Sequence, residues 1–79
     1  MTSFTVDREI DARGSACPGP LMELIRALKS VEKGQVVAVL SSDSGSKVDI
    51  PEWVQKAGHK LLAAEERGDA TRFVVEKLR

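Results

Sequence analysis

The chain has 79 residues, with 12 basic and 12 acidic side chains, 42% apolar residues, three aromatic residues and one cysteine. This length supports one domain around one core, so we predict a single domain over residues 1–79. The zero net charge and the scarcity of aromatic rings disfavour a nucleic-acid-binding module. The charged N-terminus and the absence of any apolar run of about 18 residues disfavour a signal peptide and a membrane span, and we expect a cytoplasmic protein without membrane contact.

The first half of the sequence predicts a strand, a helix and a second strand. The ragged alternation of apolar and polar residues over 4–10 indicates a short strand that ends before Asp11. Apolar residues then recur at helical spacing over 18–33, with Gly34 expected as the C-terminal cap. The β-branched run 36–40 is typical of a central strand, and a serine-rich loop follows it.

A second helix is predicted to begin at Asp49, which has capping-box spacing to Glu52. Pro51 is tolerated in a first helical turn, and since it disfavours helical angles at Ile50, either of the two preceding residues can be the cap. Gly58 is expected to end this helix. The predicted buried stripe comprises Ile50, Trp53, Val54 and Ala57, with Trp53 in the core or at its rim.

The segment 60–66 has helix-forming residues, but its length and its neighbours favour a strand. Only nine residues separate Gly58 from Gly68, and a helix that short is marginal in isolation. The following strand over 71–78 needs a partner, and the turn around Gly68 suits a hairpin. The predicted order is therefore β-α-β-α-β-β.

This order predicts a two-layer α/β sandwich of the α+β class with both helices on one face of the sheet. Strands that are joined through a helix run parallel, so their carboxyl ends and the loops that follow them meet at one edge. The loop 11–17 and the loop 42–49 are therefore expected side by side, with both helix N-termini at the same edge. This placement puts Cys17 at the start of the first helix.

A thiol at a helix N-terminus is favoured as the thiolate, because that end of the helix stabilises negative charge. We expect Pro18, Gly19 and Pro20 to fix the loop, and Arg13 and Lys47 to add positive charge. The alternative is an inert cysteine, since free cysteines are often buried as core filler. The position of Cys17 favours a functional thiol over that alternative.

Cys17 is the only cysteine in the sequence, which excludes several kinds of thiol chemistry. One cysteine excludes an internal disulfide and a dithiol redox cycle, and one cysteine with one histidine excludes a four-ligand zinc site. No metal or cofactor is expected. The remaining interpretation is a thiol that accepts a group from one protein and passes it to another. A regulatory or nucleic-acid-binding module and a single-cysteine thiol redox enzyme stay open as alternatives.

Several segments resemble the TusA/SirA family of sulfur carrier proteins. The resemblance rests on Asp11-Ala-Arg-Gly with Cys17-Pro-Gly-Pro, on Asp49-Ile-Pro before Trp53, and on the Gly58-His pair that precedes two leucines. It implies a four-stranded mixed sheet and a persulfide on Cys17. The implied donor is a cysteine desulfurase or a rhodanese-like or DsrE-like sulfurtransferase. The implied acceptors serve tRNA thiolation, molybdenum cofactor formation or sulfur oxidation.

The exposed side of the first helix is the predicted partner surface. Its candidate residues are Met22, Glu23, Arg26 and Lys29. The alternative is an ordinary solvated helix face, since mixed charges on a helix usually mean no more than that.

In two places the sequence departs from the family pattern: a small residue, Gly19, stands between the prolines, and the loop 42–47 lacks the paired aspartates of many members. We expect the free protein to be a monomer.

Overall fold

A computed structural model describes residues 6–14 and 19–79, and its elements follow the predicted order. These elements are β1 (Arg8–Asp11), α1 (Gly19–Ser30), β2 (Val36–Ser41), α2 (Ser46–Ala57), β3 (Lys60–Arg67) and β4 (Ala70–Glu76). The segment 60–66 is a strand as predicted, despite its helix-forming residues. Phe4, which was predicted in the first strand, lies outside the described residues.

The four strands form one mixed sheet in the order β1-β2-β4-β3. β1 and β2 are parallel, as a helical crossover requires, and β4 runs antiparallel to both of its neighbours. The β3–β4 hairpin turns at Gly68, whose φ of 66° lies in the left-handed region that glycine adopts readily. This hairpin inserts β4 between β2 and β3, which makes β4 a central strand.

Both helices pack on the same face of this sheet, which confirms the predicted two-layer sandwich. Alternate residues of the two central strands point into the core, among them Val37 and Phe73. Leu24 of α1 and Ile50 and Val54 of α2 belong to the same buried cluster. The remaining members of the cluster are Ala12, Ala27, Leu28, Val39 and Val75. Trp53 is half-buried and packs against this cluster, at the rim of the core as predicted, whereas Ala57 of the predicted stripe is only half-buried.

The opposite face of the sheet carries an ion-pair bridge across its strands. Arg72 of β4 donates to Glu9 of β1 at 3.2 Å and to Glu65 of β3 at 3.1 Å. Its side chain is 17% exposed, so the guanidinium is more shielded than those of the other ion-paired cations. The bridge connects both edge strands to β4.

The predicted end of α1 is wrong by three residues, because the helix ends at Ser30. The segment that follows it is bound to the chain after β4: the backbone N–H of Gly34 donates to the Lys77 carbonyl at 2.7 Å, and the Lys77 ammonium donates to the Val31 carbonyl at 2.8 Å. Gly34 lies in the turn that leads into β2, with a φ of 91°, rather than at the helix cap.

The predicted start of α2 is also wrong by three residues. Gly45 is the N-terminal cap, and the helix begins at Ser46, whose hydroxyl is buried and lies 2.8 Å from the buried Ser41 hydroxyl. Pro51 is therefore the sixth helical residue rather than part of the first turn. The predicted C-terminal cap is confirmed, because Gly58 adopts a φ of 82° there. The first strand also differs slightly, since Asp11 belongs to β1.

Candidate functional site

The loops after β1 and β2 meet at the carboxyl edge of the sheet, as predicted. The backbone N–H of Gly14 donates to the Ser42 hydroxyl at 3.0 Å, which joins the two loops directly. Gly14 has a φ of 89°, so a side chain at this position would strain the turn. Cys17 and Pro18 lie outside the described residues. They follow this joined loop in the chain and precede α1.

The N-terminal end of α1 offers hydrogen-bond donors and carries no opposing charge. Gly19 is its first residue, and Pro20 is fully buried against the fold. The first turn contains no acidic side chain. Since the first amides of a helix have no intrahelical acceptors, this end carries partial positive charge that stabilises a nearby anion.

Arg13 is paired with a carboxylate of its own loop. Its guanidinium donates to both carboxylate oxygens of Asp11, at 2.8 and 2.7 Å, and its backbone N–H donates to the same carboxylate at 3.1 Å. These hydrogen bonds lower the pKa of Asp11 to about 2. Arg13 is therefore ion-paired rather than a free cation, and its contribution to the thiol stays a prediction.

Lys47 lies in the first turn of α2 and is also paired. Its ammonium is 3.6 Å from a carboxylate oxygen of Glu66 at the end of β3. The two side chains border a polar cavity of about 170 Å³ at the same edge of the sheet. Ser41, Ser42, Ser44 and Thr71 contribute to its lining. That Lys47 lies near Cys17 stays a prediction.

The four predicted partner residues share one side of α1 but span most of its length. Met22 is 47% exposed. Glu23 and Arg26 form an exposed ion pair at 3.4 Å. Lys29 lies in the last turn, about 10 Å along the helix axis from Met22. The surface near the helix start therefore comprises Met22, Glu23 and Arg26, whereas Lys29 faces a different region of the protein.

That region holds a second cavity, of about 160 Å³, which the sequence analysis missed. It lies at the amino edge of β2, where both helices end, and Lys29, Trp53, His59, Lys77 and Arg79 contribute to its lining. These residues are scattered over 51 positions and match no local motif. Only the fold brings them together.

His59 lines this second cavity, and its surroundings favour the neutral imidazole over the charged one. Its ring is half-buried, and its Nδ1 accepts a hydrogen bond from the backbone N–H of Leu78 at 3.2 Å. The Trp53 ring centroid is 5.7 Å away. Burial first, and then the charges of Lys77 and Arg79, lower the pKa of His59 below its usual 6.5.

This lowered pKa predicts a pH-dependent stability. The unfolded chain binds a proton near pH 6.5, whereas the folded chain resists it, so His59 stabilises the fold above that pH. The contribution is lost as the pH falls through the folded-state pKa. Urea unfolding at pH 7.5 and at pH 5 should therefore show a larger loss of unfolding free energy for the wild type than for His59→Gln. Equal losses in the two proteins would contradict this prediction.

Within the described residues, 6–14 and 19–79, no group of three or more histidine, cysteine, aspartate or glutamate side chains is arranged to hold a metal ion. None of their helices is long and apolar enough to cross a membrane.

The sequence matches a known protein family over most of its length. The family model described as "Sulfurtransferase TusA" matches residues 8–77. A protein of Archaeoglobus fulgidus with the name "Putative sulfur carrier protein" is 61% identical over 70 residues, which cover 89% of this chain and 96% of that protein. The "Sulfur carrier protein TusA" of Allochromatium vinosum is 32% identical over 71 residues, covering 90% and 93% of the two chains.

The fold has a counterpart among solved structures. The SirA-like protein of Desulfitobacterium hafniense superposes with a TM-score of 0.81 and 24% sequence identity. The match covers 91% of this chain and 99% of that one. At this identity the likeness establishes the shared fold of two helices on a four-stranded mixed sheet.

Proposed function

Since the chain belongs to the TusA family of sulfur carrier proteins, we propose that it carries its sulfur as a persulfide on Cys17. The observation that supports this proposal most directly is that the chain contains one cysteine, two positions before the first residue of α1. Thiolates are the nucleophiles of sulfur exchange, and no other side chain of this protein can form one.

The proposed transfer consists of two exchange steps that need no external oxidant. In the first, the Cys17 thiolate attacks the outer sulfur of a donor persulfide; a new S–S bond forms on Cys17, and the donor cysteine leaves as its thiolate. In the second, an acceptor thiolate attacks the outer sulfur on Cys17, which leaves as a thiolate in turn. The charge-free first turn of α1 supports both steps, because the helix end stabilises Cys17 as nucleophile and as leaving group.

The carrier must dock on donors and acceptors of sulfur, and we propose particular classes for each. The donor is a cysteine desulfurase or a rhodanese-like or DsrE-like sulfurtransferase, and the acceptor serves tRNA thiolation, molybdenum cofactor formation or sulfur oxidation. Met22, Glu23 and Arg26 form the proposed docking surface near the start of α1, where Met22 offers an exposed apolar contact. We place the protein in the cytoplasm as a monomer that binds no nucleic acid directly.

Intact-protein mass spectrometry tests the persulfide. After incubation with a cysteine desulfurase and free cysteine, the protein should gain about 32 Da, and dithiothreitol should remove the added mass. Peptide mapping should place the added sulfur on the peptide that contains Cys17. Protein alkylated with iodoacetamide beforehand serves as the control and should gain no sulfur.

If neither a desulfurase nor a rhodanese-like or DsrE-like donor loads the reduced protein, the persulfide proposal is overturned. Rapid consumption of hydrogen peroxide by the purified protein would instead favour a thiol redox enzyme.

A further inference from the structure

The cavity at the amino edge of β2 combines an apolar interior with a positively charged rim. Leu28, which is 2% exposed, and the half-buried Ile25 and Trp53 are its apolar lining residues. Three residues with cationic side chains, Lys29, Lys77 and Arg79, complete the lining together with His59, and no aspartate or glutamate is among the lining residues.

The cationic side chains of this rim have no acidic side-chain partner among the described residues. No aspartate or glutamate there forms an ion pair with Lys29, Lys77 or Arg79. Most other arginines of this part of the chain are paired, and the whole chain has a net charge of zero. The positive charge at this cavity is therefore a local concentration in a neutral protein, which favours an anionic occupant.

Two of the three cations contact remote parts of the chain, and one of them, Lys77, is anchored by a hydrogen bond. The Lys77 ammonium donates to the Val31 carbonyl at 2.8 Å, which leaves two of its three N–H groups for another acceptor. The Arg79 guanidinium lies against Gly58, so closely that a Cβ atom at Gly58 would come within 2.6 Å of the Arg79 Nε. Positioned cations lose less conformational entropy when they bind an anion than mobile ones do.

The size of the cavity limits which groups can occupy it. A volume of 160 Å³ equals the liquid volume of about five water molecules, at about 30 Å³ each. It is smaller than the roughly 300 Å³ at which pockets begin to enclose drug-sized ligands. A single apolar side chain fits it, and a tryptophan beside basic residues is the composition of a protein-binding hot spot.

We propose that this cavity docks an acidic segment of a partner protein. One apolar side chain of that segment inserts between Ile25, Leu28 and Trp53, and carboxylates on either side of it pair with Lys29, Lys77 and Arg79. The site lies at the edge opposite the loop that precedes α1, so a partner can occupy it while that loop is engaged elsewhere. The proposal does not depend on the chemistry of Cys17.

Titration with a synthetic peptide tests this site, because Trp53 is the only tryptophan and gives one indole N–H signal in NMR spectra. The probe is a hexapeptide, blocked at both ends, with one leucine flanked by glutamates. It should shift the Trp53 signal saturably. The double variant Lys29→Gln/Arg79→Gln should weaken the affinity about five- to ten-fold, since it removes two exposed ion pairs with the peptide and each such pair contributes only modestly.

The matched control is Lys33→Gln/Lys60→Gln, which removes two positive charges from residues outside the cavity lining. Its affinity for the peptide should be within about two-fold of that of the wild type. Peptides with glutamine for glutamate, or with alanine for leucine, should each bind more weakly. Cys17→Ser should bind as the wild type does, which separates this proposal from the persulfide.

Four outcomes would overturn the docking proposal. The first is the absence of a saturable shift, and the second is an equal loss of affinity in the two double variants, which would indicate unspecific attraction. The third is a Trp53 shift of the same size with inorganic phosphate alone, which would indicate a simple anion site. The fourth is a shift that depends on protein concentration without peptide, which would indicate that a second copy of the chain occupies the cavity.

Discussion

Replacing Cys17 with serine is expected to abolish sulfur acceptance while leaving the fold intact. A serine hydroxyl is not ionised at neutral pH and cannot displace a thiolate from a persulfide, and the two methionine thioethers have no proton to lose. The variant should gain no sulfur from a donor that loads the wild type with one atom per chain. Mass spectrometry measures the loading, and a radiolabelled sulfur atom followed into an acceptor protein measures the relay.

A second variant distinguishes the thiol from the loop that carries it. Ser42→Ala keeps Cys17 but removes the hydroxyl that accepts a hydrogen bond from Gly14 at 3.0 Å. It should slow loading by weakening the contact between the two loops, yet reach the same final amount of one sulfur per chain. Loading of Cys17→Ser to that amount would place the sulfur on another residue and contradict the assignment of Cys17.

The order and topology of the elements were predictable because they depend on patterns that are local in sequence. Leu24 and Leu28 recur at helical spacing and become core residues of α1. Gly58 and Gly68 occupy left-handed positions where the chain changes direction, so they separate α2 from β3 and β3 from β4. These turns allowed the segment 60–66 to be interpreted as a strand against its own helix propensity.

The helix ends were not predictable from the spacing of capping residues alone. α2 begins at Ser46, whose hydroxyl meets that of Ser41 in the protein interior. The spacing of Asp49 and Glu52 suggested a later start, but it describes only local capping. α1 ends where Lys77, 46 positions along the chain, donates to the carbonyl of Val31. No pattern within α1 indicates that contact.

The carboxyl edge of the sheet and the cavity near Trp53 also differ in how far the sequence predicts them. The meeting of the loops at the carboxyl edge follows from strand direction, and the Gly14–Ser42 hydrogen bond confirms it. Strand direction does not predict whether the basic side chains near this edge are ion-paired. In the structure Arg13 is paired with Asp11, and Lys47 is paired with Glu66. The cavity around Trp53 and His59 depends on Lys77 and Arg79, and no local pattern predicts that these residues lie beside Trp53 and His59.

Leu24→Ala is expected to cause a large loss of stability. Leu24 is fully buried in the core between the helices and the sheet, and buried leucine-to-alanine substitutions cost about 2–5 kcal/mol. A domain of this length has a total stability of roughly 4–12 kcal/mol. Urea unfolding should therefore show a loss of about 3 kcal/mol, and the melting temperature should fall by at least about 12 °C.

Met22→Ala is the matched control, because Met22 lies on the same helix about 200° away from Leu24 and is 47% exposed. It should change the unfolding free energy by no more than about 0.5 kcal/mol. Similar losses in the two variants would contradict the orientation of α1 described above. If Met22→Ala is stable but receives sulfur more slowly from its donor, the two sides of α1 have different roles: Leu24 packs in the core, and Met22 contacts the partner.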